Sequence, residues 1–242
     1  MSNTNNVARR LYEVLRNAKS HSGGDEKMVV WADALKINGA AARKIIEDVF
    51  HLGDALKEME ETVARLAPDK KLYLRHVPSL RGVFDGSKLS GSWDGTRNLL
   101  TEETLQSLEF CATLIDEKEP EAEVPKADLD DLINQAAELL NQIATSDDLI
   151  PAAKGILTDL AQSLQTALNQ YRVKGIKGLR AELFEVMRRL DAEYNSVPKK
   201  EESPVVAKVY AFIQKYQVVT SAVMNSGNLG LFFNAILPPL LK

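Results

Sequence analysis

Seven apolar residues recur at alternating intervals of four and three: Ile45, Val49, Leu52, Leu56, Met59, Val63 and Leu66. A strand repeats every two residues and a loop keeps no period. This spacing therefore fits a helix whose apolar groups gather on one seam. The seam persists for three heptads, and Glu47, Asp48, Lys57, Glu58, Glu60, Glu61 and Arg65 fall on faces that would meet water. Gly53 lies inside the run, where glycine costs about 1 kcal/mol relative to alanine and leaves room for a close neighbour or a mild bend. Pro68 ends the helix. Such a seam needs a second apolar surface to cover it, from the same chain or from another copy.

The same spacing organises most of the remaining sequence. Leu11, Val14, Leu15 and Ala18 mark a helix over about 6–19, and a short one follows over 26–37, closed by Asn38-Gly39. Thr101 is a good N-cap ahead of Glu102 and Glu103, and Leu105, Leu108, Cys111, Ala112 and Ile115 give that helix its apolar side. In the second half, Leu129, Ile133, Ala136, Leu140 and Ile143 form one stripe. Leu149, Ala153, Leu157, Leu160, Leu164, Leu168 and Tyr171 form the next. Ile176, Leu179, Leu183, Val186, Met187, Leu190 and Tyr194 make a third, separated or kinked from its predecessor at Gly175. Ser203-Pro204 is an N-cap and first-turn pair for a last helix with Val206, Val209, Tyr210, Ile213, Tyr216 and Val223. The fold class expected is all-α: an irregular helical bundle with long coiled-coil-like helices.

Residues 67–100 interrupt this order with Pro68, Pro78, Gly82, Gly86, Gly91 and Gly95. Leu72-Tyr73-Leu74 and Val83-Phe84 alternate briefly, so the insertion is read as irregular and able to hold a small hairpin. A structureless stretch of this length is unusual within a compact domain, which makes the region a candidate for function. The acidic, proline-punctuated run Asp116, Glu117, Glu119, Pro120, Glu121, Glu123, Pro125 reads as a solvated linker. The domains expected are thus 1–118, a linker at 119–127, and a C-terminal bundle over 128–242 with an apolar tail. That tail has no acid after Val205, and Leu229–Leu241 is too short for a spanning helix, which needs about 20 apolar residues. Leu229, Phe232 and Phe233 are expected to dock into a core or a subunit interface.

Composition narrows the class. The 242 residues are 45% hydrophobic and only 6% aromatic, because aliphatic groups fill the stripes, and the net charge is -4. Disordered, collagen-like and low-complexity chains are excluded. One cysteine, Cys111, excludes an intrachain disulfide and a cysteine-rich metal site. With no apolar leader after MSNTNNVARR, a cytoplasmic location is expected.

Little catalytic chemistry is visible. His51 shares a helix face with Glu47 and Asp54, but that face is polar and reads as solvated. His76 lies near Arg75, Arg81 and Asp85 without a nucleophile, and Cys111 sits on an apolar face without a base. No catalytic residue, metal ligand or cofactor is assigned. Two basic clusters are candidates for contact with an anion or nucleic acid. One is Lys70, Lys71, Arg75, His76, Arg81 and Lys88, interleaved with Tyr73, Phe84 and Trp93; the other is Arg172, Lys174, Lys177 and Arg180. The net negative charge weighs against a dedicated nucleic-acid binder. The function expected is a non-enzymatic interaction, adaptor or oligomerising scaffold protein. It would act through Ile45, Val49, Leu52, Leu56, Met59, Val63 and Leu66, on a second copy or a protein partner. A nucleic-acid-associated regulator and an enzyme with a site in 67–100 are the alternatives.

Overall fold

The computed structural model describes residues 5–37, 42–85, 89–121, 123–193, 197–198 and 203–222. These fall into two compact units. The first runs to Glu121 and takes in a four-residue return, Arg172–Gly175; the second begins after Glu121, breaks off at Tyr171 and resumes at Ile176. The structure is all-helical. Among the described residues the only β pairing is an isolated bridge between Glu26 and Ser92.

In the first unit α1 (Val7–Lys19) starts at Asn6, whose Oδ1 accepts from the Arg9 amide at 3.0 Å. The Asn6 amide donates in turn to the Ala112 carbonyl at 2.9 Å, on α7 (Glu102–Lys118). One buried side chain thus caps one helix and fastens it to another. Thr101 caps α7 as its sequence implies, accepting from the Thr104 amide at 3.2 Å. Helix α2 (Lys27–Ala34) carries Trp31 into the core.

Helix α3 (Ala42–Leu66) is the helix that the heptad spacing predicts. Its seam, however, faces inward. Ile45, Val49, Leu52, Leu56, Met59 and Val63 are buried in one core with Leu11, Leu15, Trp31 and Leu108, and Leu66 packs at the edge of that core. The covering helices are α1, α2 and α7, of 13, 8 and 17 residues. They make an irregular bundle around α3, and no coiled-coil surface is left open to a partner there. Each fully buried aliphatic side chain of this kind contributes roughly 1.5–3 kcal/mol. Asp48, expected to meet water, is buried with a partner of its own. It stands beside Val49, and a straight helix drifts about 20° per heptad, which brings flanking positions inward.

The expected hairpin does not form in the described part of 67–100. Helices α4 (Lys70–Leu74), α5 (Val77–Val83) and α6 (Asp94–Arg97) occupy the stretch. Asp69 caps α4 by accepting from the Lys71 amide at 3.2 Å. Pro78 sits in the first turn of α5, where no backbone donor is required. Val77, Leu80, Val83 and Phe84 are then one helical stripe and not a piece of strand, and all four are buried.

The acidic run is held down as well. Asp116 takes the Asn6 amide at 2.5 Å and Arg9 at 3.4 Å; Glu119 pairs with Arg65. Glu121 pairs at 2.8 Å with Arg10, whose side chain is only 2% exposed. Arg10 also donates from Nε to the Val173 carbonyl at 3.1 Å and from Nη1 to the Asn5 carbonyl. Gly175 closes this arrangement at φ 62°, where a Cβ would lie 2.2 Å from Arg10 Nη1.

The second unit comprises α8 (Lys126–Thr145), α9 (Pro151–Asn169), α10 (Tyr171–Ala192, broken at Gly175) without its Arg172–Gly175 stretch, and α11 (Pro204–Ala222). Leu132, Ala136, Leu139 and Ile143 are the buried positions of α8, while Leu129, Ile133 and Leu140 are half-buried beside them. The buried stripe is therefore rotated from the expected one. Ser203 caps α11, accepting from the Val206 amide at 3.3 Å and donating to Asp148 at 2.5 Å. No helix among the described residues is long and apolar enough to cross a membrane. Leu229, Phe232, Phe233, Tyr194, Val223 and Lys88 lie outside the described residues.

Two glycine substitutions separate backbone cost from steric need. Gly53→Ala places its Cβ 3.8 Å from the Phe84 Cβ, an ordinary contact, and should raise unfolding stability by about 0.5–1 kcal/mol. Gly175→Ala strains a left-handed residue and displaces a buried ion pair, so a loss of roughly 3 kcal/mol is expected. Denaturant unfolding of the two variants checks both signs.

Candidate functional site

The first unit carries a cleft between α4 and α7 with a volume of ≈ 430 Å³. Glu103, Gln106, Phe110, Thr113 and Glu117 follow one another at three- and four-residue intervals, so one face of α7 forms a wall. Leu72, Tyr73 and Arg75 come from α4 and the residue after it. Phe110 and Leu72 are 63% and 62% exposed, so two large apolar side chains stand in water at the cleft. Arg75, Glu103 and Glu117 add charge of both signs around them. The Thr101 hydroxyl, hydrogen-bonded to Glu103, holds that carboxyl below its usual range. Scattered exposed apolar residues elsewhere, such as Val29 and Phe50, need no explanation, whereas these two share one cavity.

The first basic cluster is dispersed. Arg81 forms a two-pronged pair with Glu60, at 2.6 and 3.2 Å, and Arg75 donates to the His76 ring at 2.8 Å. Lys70 and Lys71 remain exposed on α4. Two of the three aromatics meant to interleave with them, Trp93 and Phe84, are in the core, while Tyr73 is half-buried at the cleft. Trp93 meets Trp31 edge-on at 5.4 Å between ring centres and 82°, and Phe84 lies 6.1 Å from Trp31. Neither Trp93 nor Phe84 can stack on a base, which leaves Tyr73 as the one aromatic of the three at the surface of this cluster.

The second cluster is divided at Gly175. Arg172 and Lys174 belong to the return into the first unit, and Lys177 and Arg180 to the second. Arg180 is used structurally, donating from Nε and Nη2 to the Thr220 carbonyl at 3.2 and 2.8 Å near the end of α11. Arg172 lines a shallow depression on the outer face of α1 with Arg9, Tyr12, Arg16 and Glu109. That grouping is invisible in the sequence, because it joins positions more than 150 residues apart.

The candidate catalytic groups have ordinary surroundings. His21 pairs with Asp33 at 2.9 Å and His51 with Asp54 at 3.7 Å, while Glu47 is taken by Arg43 at 2.7 Å. Among the described residues no group of three His, Cys, Asp or Glu side chains is placed to hold a metal ion. A comparison of the chain with protein-family models, curated proteins and solved structures finds no match.

Cys111 is buried behind Tyr73, with Sγ 3.7 Å from the Tyr73 carbonyl. Burial pushes its thiol up to about 12. At pH 8 the native protein should therefore react with a thiol reagent at least a hundredfold more slowly than the denatured chain. Comparable rates in the two states would show an accessible thiolate.

Proposed function

We propose that this is a non-enzymatic interaction protein that self-associates through the α4–α7 face and acts as an oligomerising scaffold. The observation that carries the reading is the pair of exposed apolar side chains, Phe110 and Leu72, standing at one cleft. The heptad seam of α3 is consumed by the core, so self-association draws on a different surface.

A second copy is the occupant that the face fits. In a two-fold pairing the same patch lies on both sides, so each residue must find its complement within the patch itself. Phe110 projects beside a cavity large enough to receive it, and Arg75 stands on the same rim as Glu103 and Glu117. Two copies related by a two-fold axis would place Phe110 of each in the cleft of the other. Arg75 would then meet a carboxylate across the interface. Desolvating the aromatic ring supplies the affinity, and the paired charges fix the register.

Light scattering on the full chain after size exclusion tests this. A concentration-dependent dimer is expected. Phe110→Asp and Leu72→Asp, both at exposed positions, should give monomers with unchanged helical circular dichroism. A wild-type protein that stays monomeric at high concentration overturns self-association. A dimer that survives both substitutions overturns the assignment to this face.

A further inference from the structure

Arg172 is the first residue of the return into the first unit, and it comes to rest on the outer face of α1. Its Nε is sealed from solvent with no acceptor, and among the described residues no hydrogen bond or ion pair engages its guanidinium. Burial lowers its pKa from the usual arginine value, and Glu13 and Asp33 act on it only through longer-range attraction. A partly desolvated cation without a hydrogen-bonded counter-charge is unfavourable unless something supplies one.

The neighbours show what is missing. Arg9 is engaged by Asp116 at 3.4 Å. Arg16 lies 5.8 Å over the Tyr12 ring and donates to its hydroxyl at 3.3 Å, and it lines the same depression. Glu109 is taken up by Tyr12, whose phenol is raised first by burial and then by that hydrogen bond. The depression, of ≈ 570 Å³, is thus lined by two guanidinium groups, and among the described residues neither forms an ion pair with an acid. We infer that it is a site for a phosphate-type oxyanion, gripped by Arg172 and Arg16. Guanidinium forks match phosphate oxygens in geometry as well as charge. Glu13 and Glu109 on the same rim keep the net charge low, which suits one small anion and opposes a polyanion such as nucleic acid.

Calorimetric titration of the full chain with inorganic phosphate, at constant ionic strength in chloride, tests the site. Saturable binding is expected, weakened about tenfold or more by Arg172→Met, which keeps the apolar stem, and several-fold by Arg16→Gln on the exposed face. Thermal unfolding in chloride separates a ligand role from a structural one. Arg172→Met should melt at or above the wild-type temperature, because it removes an uncompensated cation. Glycerol 3-phosphate in a second arm identifies the source of the anion: tighter binding than phosphate assigns a phosphomonoester, and weaker binding assigns free phosphate. No binding of either anion, or equal binding by wild type and both variants, overturns the inference. So does an Arg172→Met protein that melts several degrees lower in chloride. An Arg172→Met protein that fails to fold overturns the inference for the same reason, and unchanged affinity in Arg16→Gln overturns the grip independently.

Discussion

The guanidinium of Arg10 is the interaction on which the rest of the first unit depends. It is almost wholly buried, and a buried cation is tolerable only when opposing charge and acceptors surround it. Those acceptors come from three places far apart in the chain: the Asn5 carbonyl, the Glu121 carboxylate and the Val173 carbonyl. Burying Arg10 therefore obliges the segment before α1, the end of the acidic run and the four-residue return to meet. The Asn5 amide donating to the Glu121 carbonyl at 3.0 Å strengthens the same junction. Gly175 is the backbone condition for it, because any Cβ there collides with Arg10. The return also carries Arg172 to the face of α1, so the proposed oxyanion site depends on this junction.

The heptad seam of α3 has a consequence that its spacing alone does not reveal. A strong apolar stripe can be covered by the chain's own helices or by another copy, and both give the same sequence pattern. Here α1, α2 and α7 cover it. The surface proposed for a partner is the outer face of α7, where Phe110 stands opposite the short helix α4. Phe110 and Cys111 are neighbours in the chain with opposite fates, one exposed and one sealed, as adjacent positions on an amphipathic helix must be.

What was legible in the sequence is what local physics decides. Period-3.6 stripes identified the major helices, and Thr101, Ser203-Pro204 and Gly175 marked real caps and a real break because each acts on its own few residues. The failures arose where distant partners decide. Val83-Phe84 looks like strand until Pro78 and Leu80 are recognised as the start of a helical stripe buried against Trp31. The pairing of Glu121 is hidden because Arg10 lies 111 residues away, although the division between the two units falls directly after it. Arg180 looks like an anion ligand because its acceptor, the Thr220 carbonyl, is 40 residues away. The α1 depression was unreadable for the same reason, since Arg172 joins Arg16 only through the fold.

A double-mutant cycle on Arg10 and Glu121, with Arg10→Met and Glu121→Gln measured singly and together by denaturant unfolding, tests the junction most directly. A coupling of about 2 kcal/mol is expected for a charge pair buried to this degree, with the double variant less damaged than the two single losses combined. A coupling near zero would contradict the pairing and show that Glu121 belongs to a free linker.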